Sequence, residues 1–379
     1  MTRHPAKIVT AWLATLLVLA SLHIHLNRGG MREFFRRDRG RLVVGHLPVT
    51  CHLTCPVTSW VTGHSDHGAI FESRRFTNFA AMTEAFQAGD LQAAFILAPL
   101  AMTMRRRGVP IKIVYLGHRD GTTINVRRDD PIRDFAGLRH RRVAIPHRYS
   151  NQRILIQRMM DQYGFAEDDL ELVEYPPPDM PAGLRSHQFD AFVVGEPFGA
   201  RAELDGYGRV LYFTKDIWPD FISCVLAVRE DLIRTRPGMV QELVSGIARS
   251  GMWLDAPGTD LTPGVVVGGD GAQSDARAAV LPPTWPRTHR MQAAVIAARR
   301  EYYAQSPDLL RHVLSHPPDR VRYVDLAPAR PDFEEIQRYA ERLGFFRPST
   351  PRNPFDFDDY VDTSFAARAQ GLTIHLEAR

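Results

Sequence analysis

Between residues 41 and 228, short apolar runs rich in β-branched residues alternate with segments of helical period, and few folds accommodate that alternation. The runs Arg41–Pro48 (RLVVGHLP), Ala69–Phe76, LQAAFILA, VPIKIVYLG, RVAIP, the segment ending at Glu174-Tyr175, Phe189–Val194 (FDAFVV), VLYFT and Ile222–Val228 (ISCVLAV) read as strands. Each is too short for a buried helix and is bounded by Gly, Pro or polar residues. Between them, Asn78–Ala88 places Phe79, Met82 and Phe86 on one helical face and stops at Gly89, while PLAMTMRRRG and Gln152–Tyr163 give two further helices. Met291–Gln305 and Asp332–Leu343 add helices after the last strand. Strand alternating with helix predicts a parallel α/β sheet, and a polar break, RRDDP, near Val126–Pro131 predicts a second αβ unit beyond it.

At 379 residues and 44% hydrophobic content the chain exceeds one compact core and divides most naturally into two lobes. Its 47 basic and 43 acidic residues give +4. Removing Arg3, Lys7 and Arg28 leaves about +1, so the body carries no electrostatic footprint for nucleic acid. No Walker loop, dinucleotide fingerprint or nucleophile elbow occurs.

The start of the chain carries a targeting signal. Arg3, His4 and Lys7 precede an uncharged apolar run, residues 8–24, suited to a secretory leader or a short membrane anchor within residues 1–30. No cysteine ends that run, which argues against a lipoprotein. Arg28, Arg32, Arg36, Arg37, Arg39 and Arg41 follow it, and a positive-inside rule would hold that flank in the cytoplasm. Met31 is an alternative start that would remove the leader altogether.

Several stretches are similar to one family. EAFQAGDLQAAFILAPLAMTMRRRGVPIKIV, IRDFAGLRHRRVAIP, PPPDMPAGLRSHQFDAFVVGEPFGARAE, CVLAVREDLI and SPDLLRHVLSHPPDRVRYVDLAPARPDFEEIQRYAERLGFF with FDDYVDTSF resemble the nitrate, bicarbonate and sulfonate (taurine) solute-binding proteins of ABC importers, within the thiamine-precursor-binding superfamily. The resemblance implies a type 2 periplasmic binding protein: two α/β lobes joined by a two-strand hinge, with ligand in the cleft between them. It divides the chain into lobe one (41–125), lobe two (126–221), a return to lobe one (222–345) carrying a Gly/Pro-rich insertion at 256–286, and a tail at 346–379. It also implies a permease and an ATPase as partners, a location on the outer face of the cell membrane, and no catalysis.

In such sheets ligands sit where loops leave the carboxyl ends of strands. Candidate ligand residues are therefore His46, Cys51 and His52; His118, Asp120, Gly121 and Thr122; Ser150 and Asn151; and Glu196. The start of the Gln152 helix offers free amides and a favourable dipole to an oxyanion, with Arg148 and His147 alongside; plain capping by Ser150 is the alternative. Glu196 faces the cleft or pairs with a structural arginine. The thiols depart from the nitrate and bicarbonate pattern: Cys51, Cys55 and Cys224, with His46 and His52 nearby, would suit a thiophilic metal ion, and a disulfide or simple packing are the alternatives. His64-Ser65-Asp66-His67 resembles a metal-site fragment and reads as a solvated turn. Two rival functions remain: an iron-dependent pyrimidine-precursor enzyme of the same superfamily, and a membrane-anchored sensor.

Overall fold

The computed structural model describes residues 12, 16, 42–63, 69–256, 281–282 and 284–369, and the described residues from Val43 onward belong to one unit. Two five-stranded sheets form its centre. The first is built from β1 (Val43–His46), β2 (Glu72–Arg75), β3 (Ala93–Leu97), β4 (Ile111–Leu116) and β11 (Cys224–Arg229) in the order β2-β1-β3-β11-β4. The second comprises β6 (Thr122–Arg127), β7 (Arg141–Ile145), β8 (Leu170–Glu174), β9 (Ala191–Gly195) and β10 (Gly208–Phe213) in the order β10-β6-β9-β7-β8. β1 pairs in parallel with β2 and β3, and β7 with β8 and β9. β11 returns antiparallel between β3 and β4, and β6 runs antiparallel to β9 and β10, so each sheet is mixed rather than wholly parallel.

The chain crosses between the sheets twice, through 117–121 and 214–223. The crossings touch at an antiparallel bridge between Arg119 and Ile222, and β5 (Arg119–Asp120) pairs with β12 (Val321–Arg322) beside it. The sheets share no strand, so these crossings are the covalent hinge of a two-lobed α/β fold.

Local chemistry explains the helices. Asn78 caps Phe79–Ala88 by accepting from the Ala81 N–H at 2.8 Å, and Gly89 ends it at φ 88°, a left-handed position suited to glycine. Ser150 caps Asn151–Tyr163 in the same way, and Gly164 closes it at φ 64°. In lobe two the faces of β6, β7 and β9 and the helix Asn151–Tyr163 bury Ile124, Val143, Val193, Leu155 and Met159 in one core.

Three expectations need correction. Val126, placed at the lobe boundary, lies inside β6, because Thr122–Arg127 pairs along β9 and β10 despite its polar residues. The C-terminal segment is no tail: Phe357–Tyr360 and Ser364–Ala369 pack on β4 and on neighbouring helices, with Phe357, Tyr360 and Phe365 buried. The helix read as Met291–Gln305 ends at Ala298. Pro237–Asp255, the longest described helix at 19 residues, had no sequence assignment. Most of the insertion, the His64–His67 motif and the apolar run 8–24, apart from Trp12 and Leu16, lie outside the described residues. Among the described residues no helix is long and apolar enough to cross a membrane.

Gly251 sits in that long helix with the Tyr323 carbonyl oxygen 2.5 Å from where a Cβ would stand. Gly to Ala inside a helix ordinarily gains about 1 kcal/mol. Here the added methyl meets backbone, so Gly251→Ala is expected to destabilise by about 1–3 kcal/mol, read as a lower urea midpoint at unchanged slope.

Candidate ligand cleft

Five backbone segments meet where the two sheets face each other. After β1 the chain turns through a 3-10 turn, Thr50–His52, into the helix Thr54–Gly63. The Thr50 N–H donates to the Glu196 carbonyl at 2.6 Å, tying this lobe-one loop to the end of β9 in lobe two. Gly117 donates to the Cys224 carbonyl at 2.8 Å, and Glu196 N–H to the Gly121 carbonyl at 2.9 Å. From the start of the Asn151 helix, the Asn151 amide donates to the Ile222 carbonyl at 2.6 Å and the Gln152 amide to Ser223 Oγ at 2.9 Å. Tyr303 and Tyr323 hold the loop from behind by donating to the Val49 and Thr50 carbonyls at 2.6 and 2.9 Å. The seam lies at the carboxyl ends of β1, β3, β7 and β9, where open α/β sheets take their ligands.

Its lining is buried, polar and incompletely satisfied. His46, His52, His118, Thr50, Asn151 and Gln152 are at most 1% exposed. Yet both ring nitrogens of His46 and of His118, His52 Nε2, Thr50 Oγ1, Asn151 Oδ1 and Gln152 Oε1 make no hydrogen bond of good geometry within the protein. Native interiors leave few such atoms, each costing about 1–3 kcal/mol. Burial, with the Arg75 charge adding to it, pushes His46 down to about 3, and burial alone does the same for His118. His52 is lowered by burial and then by its two histidine neighbours. All three imidazoles are therefore neutral near pH 7. Cys51 and Cys224 are buried with their sulfurs 3.0 Å apart, and burial raises the Cys51 thiol, with the Cys224 contact reinforcing it.

The charged groups are already engaged. Glu196 is fully buried: its Oε1 accepts from Arg320 at 3.1 Å and Thr123 at 3.3 Å, and its Oε2 from the Ala200 N–H at 3.0 Å. The carboxylate is thus an anchor for Arg320 rather than a free cleft group. Asp120, at φ 62°, accepts from Arg322 at 3.1 Å, and Arg119 forms a bidentate pair with Asp332. Gly121 follows at φ 68°, where a Cβ would meet the His118 ring at 3.0 Å.

The expected residues therefore separate. His46, Cys51, His52, His118, Gly121, Thr122 and Asn151 gather at the seam, Thr122 accepting from Gln152 at 3.3 Å. Ser150 is used in capping, its Oγ accepting from the Arg153 N–H at 3.0 Å. Arg148 turns outward to Glu174 at 2.7 Å. Cys55 does not join the other two thiols: Cys51, His52 and Cys224 form the donor group, and Cys55 lies in the following helix beside Tyr302 and Tyr303. Sequence reasoning missed Gln152, Ser223, Tyr303, Tyr323 and Arg320. Only Gln152, adjacent to a named cap, carried a local signal.

The NMT1-like family matches residues 38–261, more than half of the sequence. The chain belongs to this family. The NMT1-like match spans both sheets and both crossings. Among curated relatives, the nitrate/nitrite binding protein NrtA of Nostoc sp. is 29% identical over 89 residues, covering 24% of this chain and 20% of its own. The nitrate import ATP-binding protein NrtC of Synechocystis sp. is 25% identical over 173 residues, 41% of this chain and 26% of its own. The taurine-binding periplasmic protein of Escherichia coli is 24% identical over 203 residues, 51% of this chain and 62% of its own. The chain thus spans only about a fifth to a quarter of the first two relatives.

Solved structures share the fold. A ligand-binding component of an ABC-type import system from Staphylococcus aureus, with zinc bound, superposes with TM-score 0.68 at 24% identity, covering 86% of this chain and 98% of that one. The periplasmic nitrate-binding protein NrtA of Synechocystis gives 0.69 at 15%, covering 88% and 89%. The desulfurization enzyme DSZB also has this fold, at TM-score 0.57 and 16% identity over 87% of this chain and 98% of that one. These likenesses establish the periplasmic-binding-protein fold, which binding proteins and an enzyme share.

The neutral histidines predict an acid-sensitive fold. Unfolded, each imidazole takes a proton below about pH 6.5; folded, His46 and His118 stay unprotonated until near pH 3. The unfolded state binds more protons throughout that window. Stability therefore falls as pH drops from about 6.5 toward 3, by about 1.4 kcal/mol per pH unit for each histidine. Glu196, raised mainly by burial, opposes this only in the carboxylate range. Urea midpoints measured from pH 7.5 to 4.5 should decline, and His46→Gln should flatten the slope by about one proton.

Proposed function

We propose that this chain is the extracytoplasmic solute-binding subunit of an ABC importer, closing two lobes over a small solute and handing it, chemically unchanged, to a permease driven by an ATPase. One observation carries the reading: buried polar atoms without partners collect at the seam between two sheets that the chain bridges only twice. A packed structural interface would satisfy those atoms. A receptor leaves them for its ligand and releases it by hinge opening.

The relatives' named solutes, nitrate, bicarbonate and taurine, define the first class to examine. The cleft supplies imidazole, hydroxyl and amide groups, with its nearby guanidinium groups already paired. Residues 8–24 would export the chain as a leader or hold it at the outer membrane face as an anchor. The relatives that are ATP-binding import proteins support the partner assignment.

Ligand binding to the folded form alone raises the melting temperature, equivalent to about 2.7 kcal/mol at a hundredfold excess over Kd. Nitrate, bicarbonate, taurine and short alkanesulfonates are the probes, with mass spectrometry to confirm that bound solute is recovered intact. Gln152→Ala should weaken the responding solute about tenfold by removing the unpartnered Oε1, and should also lower the unliganded melting temperature because its bonds to Ser223 and Thr122 are lost. Turnover of the solute, or a Gln152→Ala variant that binds it unaltered, would defeat this reading.

A further inference from the structure

Among the described residues, one set of three metal-capable donors converges: Cys51 Sγ, Cys224 Sγ and a His52 ring nitrogen, all buried and within 4.8 Å of one another. We infer that this triad binds a divalent thiophilic metal ion, zinc being the type, as a ligand of the cleft. The inference rests on the cleft being a ligand site and deepens that reading by naming one class of occupant.

Donor chemistry comes first. Two sulfurs and an imidazole suit zinc-like ions and disfavour magnesium or calcium, which take oxygen. His52 takes the role through a change of tautomer. Its Nδ1 lies 2.7 Å from the Leu47 N–H and 3.2 Å from the Leu47 carbonyl, while its Nε2 has no partner. With Nδ1 accepting from the Leu47 N–H, the ring proton sits on Nε2; ion binding there moves that proton to Nδ1, which donates to the Leu47 carbonyl instead while the Leu47 N–H gives up its bond.

Charge balance selects a divalent ion. Two thiols release two protons to solvent as the ion enters, and two thiolates with a dication sum to zero. Copper(I) would leave a net negative charge in a buried place where Arg119, Arg320 and Arg322 are committed to Asp332, Glu196 and Asp120.

The fit requires a small adjustment. On a tetrahedral zinc with metal–sulfur bonds of about 2.3 Å, two sulfurs stand about 3.8 Å apart; here they are 3.0 Å apart. Spreading by less than about 1 Å accommodates the ion. Three protein donors leave one coordination position open, whereas structural zinc sites are closed by four. The donors come from lobe one, and lobe two covers them: a Cβ on Gly195 would stand 3.8 Å from Cys51 Sγ, and Thr50 is bonded to Glu196. Release of the ion therefore accompanies lobe opening, as expected of cargo.

The test uses the full chain, reduced and stripped of metal by chelator, titrated with cobalt(II) alone. Expected are tetrahedral ligand-field bands and thiolate charge-transfer absorption saturating at one equivalent, displaced by zinc and withdrawn by chelator from protein that stays folded. Cys51→Ser with Cys224→Ser should weaken binding by more than about a hundredfold, beyond the usual effect of losing an outer-sphere partner. Cys55→Ser should leave it unchanged and controls for general loss of a thiol, with melting temperatures checking that each variant folds. No cobalt spectrum from reduced wild-type protein, binding that survives the double substitution, or an ion no chelator can withdraw without unfolding would each overturn the inference. Should cobalt fail while taurine or nitrate raises the melting temperature, the metal assignment falls and the receptor stands.

Discussion

A missing side chain at Gly117 is the constraint from which the site follows. A Cβ there would stand 2.3 Å from the Cys51 carbonyl oxygen and 3.1 Å from that of Cys224, so only glycine lets the first crossing pass between these two segments. Backbone contact at that distance fixes the ligand loop after β1 against the second crossing. Cys51 and Cys224, 173 residues apart in sequence, meet at 3.0 Å as a consequence. The same approach leaves Gly117 free to bond the Cys224 carbonyl, so the hinge and the site share one hydrogen-bonded frame.

Electrostatics then divides the seam into two kinds of group. Full charges are paired around it, and Arg320, only 2% exposed, binds both Glu196 and Glu203. Removing one partner of such a pair strands the other, at about 3–5 kcal/mol, so these residues hold shape and cannot be lent to a solute. The groups left over are neutral imidazoles, thiols, hydroxyls and amides. Their unmet hydrogen-bonding capacity destabilises the empty fold by about 1–3 kcal/mol per atom. A ligand that satisfies them recovers that free energy on binding.

Much of this was legible in the sequence wherever function follows from the local period. Strand tips were placed because β-branched runs end in Gly or Pro; His46 ends β1, His118 lies on the loop leaving β4, and Asn151 opens the helix after β7. The second sheet's first strand was not, since Thr122–Arg127 takes its stability from pairing on both sides rather than from its own apolarity. Pro237–Asp255 did carry a helical pattern in Val240, Leu243, Val244 and Ile247, but Gly246 and Gly251, small for packing against Thr58 and Tyr323, obscured it. In the sequence Cys51 and Cys55 stand in one loop and group with Cys224 as a single set. The switch from a 3-10 turn to an α-helix between the first two sends one thiol to the seam and the other toward Tyr302 and Tyr303. Nothing in a sequence marks Arg320 as the partner of Glu196 across 124 residues.

Glu196 joins three parts of the cleft through bonds made entirely within the protein. Its carbonyl holds the Thr50 N–H from lobe one, its own N–H binds the Gly121 carbonyl on the first crossing, and its carboxylate is clamped by Arg320 and the Ala200 N–H. Loop, hinge and lobe two therefore meet at a single residue whose side chain is immobilised. The Thr50–Glu196 bond joins lobe one directly to lobe two, and Thr50 is adjacent to Cys51. On the proposed receptor reading, hinge opening would loosen the loop after β1 at the residue beside the thiol, a local route by which lobe motion could reach the cleft.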